Sequence, residues 1–355
     1  MIMERRKTKE IRVGKVGIGG ENPISIQSML CTPNGDFDAA LTQTRALAAA
    51  GCDLVRLAVI DDDSLSVVKQ LKAAVDIPLV ADIQFDYRLA LGAIEAGIDK
   101  IRLNPGNIGN EERVRQVVMA AKAKGIPIRV GVNAGSVSQK CLQKYGKVCP
   151  EALAEEALGQ IRILEACDFY DIAVSLKASS VPMMIESYRL MAAKVAYPLH
   201  LGVTEAGTVY SGTVKSAVGI GTLLAEGIGD TIRVSLTADP VEEVRAAKEL
   251  LSALELRTDH AKLVSCPTCA RCSVNLIRIA EQVNKRLDEV KKPVKIAVMG
   301  CVVNGPGEAR DADIGVTGAK GEGLLFKEGR IIRRVAEENI IDALFEELDK
   351  MGALS

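Results

Sequence analysis

Three cysteines fall within seven residues at CPTCARC (266–272), and a fourth, Cys301, follows an apolar run at GCVVNGPGE (300–308). Thiols at this spacing serve three kinds of chemistry. A redox pair made of Cys266 and Cys269 should open a helix of an N-terminal βαβ unit, and neither the extra thiol nor the context matches that arrangement. A structural zinc knuckle would take all four thiolates of Cys266, Cys269, Cys272 and Cys301. An iron-sulfur centre also uses the spacing C-x-x-C-x-x-C. Spacing alone leaves the last two open. The scattered Cys31, Cys52, Cys141, Cys149 and Cys167 read as packed thiols.

A second set of candidates lies late in Val- and Ile-rich runs. Arg56 sits in DLVRLAV (53–59), and Arg102 and Asn104 in KIRLNPG (100–106). Arg129 and Asn133 sit in IRVGVNAG (128–135), Ser175 and Lys177 in DIAVSLKA (171–178), and Arg233 and Ser235 in TIRVSLTADP (231–240). A period of two puts each such pair on one strand face. Cations among Val and Ile are costly to bury unless a negative group meets them. Asp82, Asp86 or Asp171 could supply that charge, and so could a bound phosphate or diphosphate, whose oxygens match the guanidinium fork. Glu205, in TEAG (204–207), is the best-placed acid or base. NPGNIG (104–109) and NGPG (304–307) match neither a Walker A loop nor a dinucleotide fingerprint, so nucleotide binding is unsupported.

The elements that must hold these residues alternate. Eight apolar runs, adding PISIQSM (23–29), PLVADI (78–83) and PLHLGVTEAG (198–207) to those above, are separated by segments of helical period that mostly end in Gly. Right-handed crossovers then demand a parallel sheet, and eight units predict an α/β fold of the TIM (β/α)8 barrel type, whose active sites lie at the C-terminal rim of the strands. The stretch after Asn133 is long enough for an extra turn or two of helix. Helix 240–256 should close the eighth unit and the polar 257–262 should be a linker. Strands at LVSC and 294–300, a helix at 273–290, a hairpin at 321–335 and a last helix from about 338 form a smaller α/β domain. The expected domains are 1–257 and 258–355.

Composition narrows the function. Of 355 residues, 45 are Lys or Arg and 46 are Asp or Glu, so no overall field draws the chain to nucleic acid or an anionic membrane. Aromatic residues are 3% with no Trp, which leaves few platforms for stacking bases. The basic start, MIMERRKTKEIRVG, lacks a signal-peptide core, and no apolar run reaches the roughly 18 residues that span a bilayer. A cytoplasmic protein with reduced thiols is the expectation.

CPTC, GCVVNGPGE, LGVTEAG, EGIGDTIRVSL and RLNPGNIG, taken together, closely resemble the bacterial 4-hydroxy-3-methylbut-2-enyl-diphosphate synthase family of the methylerythritol phosphate pathway, and the resemblance runs in order from about residue 8 to the C-terminus without a domain-sized insertion. The resemblance implies a barrel followed by an iron-sulfur domain, with a 4Fe-4S cluster held by Cys266, Cys269, Cys301 and Glu308 and with Cys272 spare. It also implies that Arg56, Arg102, Arg129, Asn133, Lys177, Arg233 and Ser235 contact the substrate and Asp82 lines the site. The substrate would be 2-C-methyl-D-erythritol 2,4-cyclodiphosphate, opened reductively with two electrons from flavodoxin or ferredoxin. Glu205 would serve as acid or base or orient the substrate hydroxyl beside the Glu308-bound iron, and a homodimer is implied. Two departures fall near the expected rim: QSMLCT replaces a Thr-rich stretch, and Gln84 in ADIQFD stands where the family has His.

Overall fold

Val, Ile and Leu at every second position suit strands whose outer face meets helices and whose inner face meets something else. A computed structural model, describing residues 4–303, 309, 311–319 and 321–354, has this pattern through its first unit. The chain divides into two units, with the division between Leu256 and Arg257.

The first unit opens with an antiparallel hairpin, β1 (Ile11–Val13) and β2 (Val16–Ile18), which the sequence reading did not anticipate. Eight strands follow: β3 (Ser25–Met29), β4 (Leu54–Ala58), β5 (Leu79–Asp82), β6 (Lys100–Leu103), β7 (Ile128–Asn133), β8 (Ile172–Lys177), β9 (His200–Leu201) and β10 (Thr231–Ile232). They are parallel neighbours in the order β8-β7-β6-β5-β4-β3-β10-β9. A parallel bridge from Val174 to Leu199 joins the two ends, making a TIM barrel.

That closing seam is short, and a side chain completes it. The buried Tyr188 hydroxyl accepts a hydrogen bond from Leu176 N–H at 3.0 Å and donates one to the His200 carbonyl, so it stands in for a direct bond between β8 and β9. Helices α1 (Phe37–Ala49), α2 (Asp62–Ala74), α3 (Tyr87–Glu95) and α4 (Glu111–Lys124) cover the first strands. Their Leu47, Leu71, Ile94 and Val117 pack against outward-facing Val55, Leu79, Ile101 and Val130 in one core. Burying each such side chain stabilises by about 1.5–3 kcal/mol.

The long gap after Asn133 holds more than a turn. It forms a separate helix, α5 (Gln139–Tyr145), which Gly146 ends in the left-handed region, before α6 (Pro150–Glu165) begins with Pro at its first position. The ring continues with α7 (Val181–Ala192), α8 (Val209–Ala225) and α9 (Pro240–Ala253).

The second unit is a five-stranded sheet in sequential order: β11 (Lys262–Ser265), β12 (Lys295–Met299), β13 (Ile314–Ala319), β14 (Glu322–Lys327) and β15 (Arg330–Ala336). The first three are parallel and the last three antiparallel. Helices α10 (Leu276–Arg286) and α11 (Ile340–Lys350) share its core, where Ile279, Val283, Leu344 and Leu348 meet Ile296 and Val316. Strand β13 escapes a sequence reading because IGVTGA carries two glycines, which ordinarily weaken a strand. The structure supplies the reason for one of them: a Cβ on Gly315 would lie 2.5 Å from the Phe326 ring.

Candidate functional site

The alternation that sends Val and Ile outward sends a polar set inward. In-register neighbours place Met29 beside Arg56, Ala58 beside Asp82, and Asp82 beside Arg102 and then Arg129. Arg56, Arg102, Arg129, Lys177 and Arg233 therefore share the interior of one barrel, as the period-two reading requires. Arg129 is 1% exposed and Lys177 8%.

Two carboxylates answer this charge in part. Asp82 lies 3.6 Å from Arg56 and 3.1 Å from Arg102. Glu243, in the first turn of α9, lies 3.2 Å from Arg233 and also accepts from Ser28 Oγ at 2.8 Å and Leu236 N–H at 3.1 Å. Of the alternatives in the sequence, Asp86 pairs locally with Arg88, and Asp171 faces Lys9. They do not serve the interior.

The cations outnumber their acids, and the electrostatics register it. Burial, followed by repulsion from Arg233, Arg56 and Arg129, pushes Lys177 well below its ordinary value. Arg129 is pushed down by burial and then by Arg56 and Arg102, while Asp82 pulls the other way. A bound phosphate would offset these repulsions and act upward on Lys177.

Asp82 carries a pH dependence. Its burial acts upward, but attraction by Arg56 and Arg102 outweighs it and leaves the carboxyl below its ordinary value. A depressed folded-state value stabilises the fold above the unfolded value of about 3.9, and that contribution disappears as pH falls through the folded value. Asp82→Asn is expected to cost about 3 kcal/mol at pH 7, because two half-buried guanidinium groups lose their counter-ion, and to flatten the acid limb of stability. Denaturant unfolding of both proteins from neutral pH to below pH 4 checks it.

Two glycines make room for the cations. A Cβ on Gly131 would lie 2.6 Å from Arg102 Nε, and one on Gly202 would lie 2.9 Å from both Lys177 Nζ and the Arg233 carbonyl. The carbonyl cannot yield, so Gly202→Ala should displace the ammonium. The expected result is a KM raised about tenfold with a smaller change in kcat, read from steady-state kinetics.

At the strand ends, Asn133 and Glu205 are exposed and Ser235 is half-buried. Glu205 has φ +53°. Asp168 and Glu255 also have positive φ, but both follow helix ends, and Glu328 lies in the β14–β15 turn, where such backbone is ordinary. Glu205 instead sits just past β9, two residues before Gly207 at φ +113°. Backbone held there costs about 1 kcal/mol or more and often marks a working residue. The two departures, Cys31 and Gln84, are both exposed just beyond β3 and β5.

In the second unit, β11 and β12 run side by side, with Ser265 in register with Val298, so Cys266 and Cys301 emerge at neighbouring strand ends. Gly300 N–H donates to Cys266 Sγ at 3.2 Å. Cys272 packs against the same corner, and a Cβ on Gly300 would meet its sulfur at 2.7 Å. Cys269 is exposed and its carbonyl accepts from Cys272 N–H at 3.0 Å, while Cys301 is 8% exposed. None of the nine cysteines is in a disulfide. Glu308 lies outside the described residues, and among those described no three Cys, His, Asp or Glu groups close into a ready metal cage.

Sequence reading missed Glu243 and the deeper Lys100 and His200. The signals existed: Glu243 interrupts the apolar stripe Val244, Ala247, Leu250 and Leu251 of α9, and Lys100 stands two residues before Arg102 on the same strand face.

A closed parallel barrel with a cation-lined interior, joined to a second domain bearing thiols at adjacent strand ends, defines a two-domain barrel enzyme. Residues 8–248 match the GcpE TIM-barrel domain and residues 262–350 the GcpE protein C-terminal domain, and the chain belongs to this family. It is 56% identical over 349 residues to the 4-hydroxy-3-methylbut-2-en-1-yl diphosphate synthase (flavodoxin) of Ruminiclostridium cellulolyticum, covering 98% of this chain and 99% of that protein. The enzymes of the same name from Caldanaerobacter subterraneus and Clostridium perfringens are 54% and 56% identical, covering 99% and 97% of this chain and 99% of each. Among solved structures, dihydropteroate synthase from Stenotrophomonas maltophilia shares the barrel alone, with a TM-score of 0.51 at 15% identity over 70% of this chain and 98% of that one.

Proposed function

We propose that this chain opens 2-C-methyl-D-erythritol 2,4-cyclodiphosphate reductively to 4-hydroxy-3-methylbut-2-enyl diphosphate. Two electrons and two protons enter, one ring carbon–oxygen bond to phosphate breaks, and a hydroxyl leaves as water. Its family membership and the excess of buried cations in the barrel support this reading, since a cyclic diphosphate is the kind of ligand such an interior requires.

Arg56, Arg102, Arg129, Lys177 and Arg233 would hold the phosphates, with Asn133 and Ser235 completing the contacts and Asp82 fixing two of the guanidinium groups. Glu205 would move a proton at the departing hydroxyl or hold it in place.

Cys266, Cys269, Cys301 and Glu308 would hold a 4Fe-4S cluster. The donor set fits: thiolates are cluster ligands, two of them emerge at adjacent strand ends, and a backbone N–H already points at Cys266 sulfur. Bound there, the cluster would supply one-electron reduction, and an oxygen ligand would leave one iron exchangeable. Flavodoxin is the proposed donor, with ferredoxin the alternative.

We extend the proposal to a cytoplasmic homodimer. No helix among the described residues is long and apolar enough to cross a membrane. The decisive assay is anaerobic: the protein, reduced flavodoxin and the cyclodiphosphate should give the allylic diphosphate, observed by phosphorus NMR. Turnover of the substrate without electron consumption would overturn the proposal.

A further inference from the structure

Beneath the guanidinium groups the barrel contains polar side chains that the proposed reaction does not use. Lys100 begins β6 and Gln27 is central in β3, while Ser25, Thr231 and His200 lie in register across β3, β10 and β9. Lys100, His200 and Thr231 are fully buried, and Gln27 and Ser25 nearly so. By strand alternation all five share the inward face, Lys100 with Arg102, Thr231 with Arg233, and Gln27 with Met29.

Most of these groups lack partners. Lys100 Nζ, Arg129 Nε and Nη1, both amide atoms of Gln27, Ser25 Oγ and His200 Nε2 are buried without a hydrogen bond among the described residues. Leu54, Val80 and Ala173, in register with Gln27, Lys100 and Arg129, alternate with them in the same layer and pack with Ile11, Val13 and Ile18 of the hairpin. Above them, the oxygens of Asp82 face Arg56 and Arg102, and Glu243 is shared by Arg233, Ser28 and Leu236.

Trapped water could satisfy the donors, but it would leave the charge of Lys100 and Arg129 offset only by Asp82, which Arg56 and Arg102 already share. An arginine stays protonated inside a protein, and a buried cation without a counter-ion is among the costliest groups to hold. We propose that this chamber binds one small monovalent inorganic anion, of the chloride class, among Lys100, Arg129 and Gln27. The apolar Leu54, Val80 and Ala173 interleaved with these groups leave room for a small ion rather than an oxyanion. Burial and the cations Arg129 and Arg56 push Lys100 well below its ordinary value, and a bound anion would act in the opposite direction. The site would compensate Arg129 from below, whatever ligand the strand ends bind.

The test uses the full-length, cluster-loaded protein. Thermal unfolding is followed at constant ionic strength while chloride or bromide replaces gluconate, which is too bulky to enter. The midpoint should rise with halide concentration as expected for one bound ion, and the rise should be absent in Lys100→Met. A bromide-soaked crystal should give an anomalous peak beside Lys100 and Arg129. Equal halide dependence in wild type and Lys100→Met would mean surface binding only and would overturn the proposal. So would a halide effect that vanishes on saturation with inorganic diphosphate, which would assign the chamber to the phosphate ligand. If Lys100→Met does not fold, the wild-type anomalous map and the diphosphate competition still decide.

Discussion

Glu205→Gly is expected to lower kcat/KM by about 10²- to 10⁴-fold, the range for losing a positioned acid or base, while stability stays within about 1 kcal/mol of wild type. The stability half follows from the backbone. Glycine accepts φ +53° without the strain that a Cβ brings, and the relief offsets the greater freedom of the unfolded chain. A residue retained in left-handed backbone for structure alone would show the opposite pattern, with stability changed and turnover intact. Glu205→Gln separates the two chemical roles. It keeps the shape and a hydrogen-bonding oxygen but cannot take up a proton at neutral pH, so substantial residual activity would point to orientation rather than proton transfer. Kinetics with saturating reductant, paired with thermal unfolding of each variant, is the measurement. Glu205→Gly retaining activity within about threefold of wild type would remove Glu205 from the site.

Cys301→Ser should abolish turnover and bring iron in anaerobically purified protein close to background, with loss of the visible charge-transfer absorption of thiolate-bound iron. Serine is nearly isosteric, so the side chain keeps its place at the end of β12 while losing the soft, readily ionised donor. Cys272→Ser provides the contrast. Cys272 packs over Gly300, but the resemblance that assigns the other three thiols leaves it out, and iron should remain at the wild-type level. Loss of iron in Cys272→Ser with retention after Glu308→Gln would indicate a four-thiolate centre instead. Stoichiometric zinc with no iron in the air-free wild-type protein would contradict the cluster assignment altogether. Because a bound centre adds its binding free energy to folding, Cys301→Ser should also make the second unit more sensitive to protease.

The strand–helix alternation was legible because period two and period 3.6 are local properties, and each of the eight barrel strands lies inside a run read from sequence. The same period placed Arg129 with Asn133, Ser175 with Lys177 and Arg233 with Ser235 on one face of each strand. What it could not see was weakly patterned. The hairpin at Ile11–Ile18 is too short to establish a period, and β13 looks like a loop until Phe326 is found over Gly315. The roles of the individual site residues rest on the experiments above.

By itself, then, the sequence determined which residues share a strand face and where the thiols cluster along the chain. Tertiary structure decided what each inward residue meets: Asp82 between Arg56 and Arg102, Glu243 across from Arg233, Tyr188 bridging the closing seam, and Lys100 with His200 enclosed below. The physical reason is that a side chain's face follows from its own strand's alternation. Its partners follow from the register of strands and helices far away in sequence, which barrel closure sets for all eight strands together.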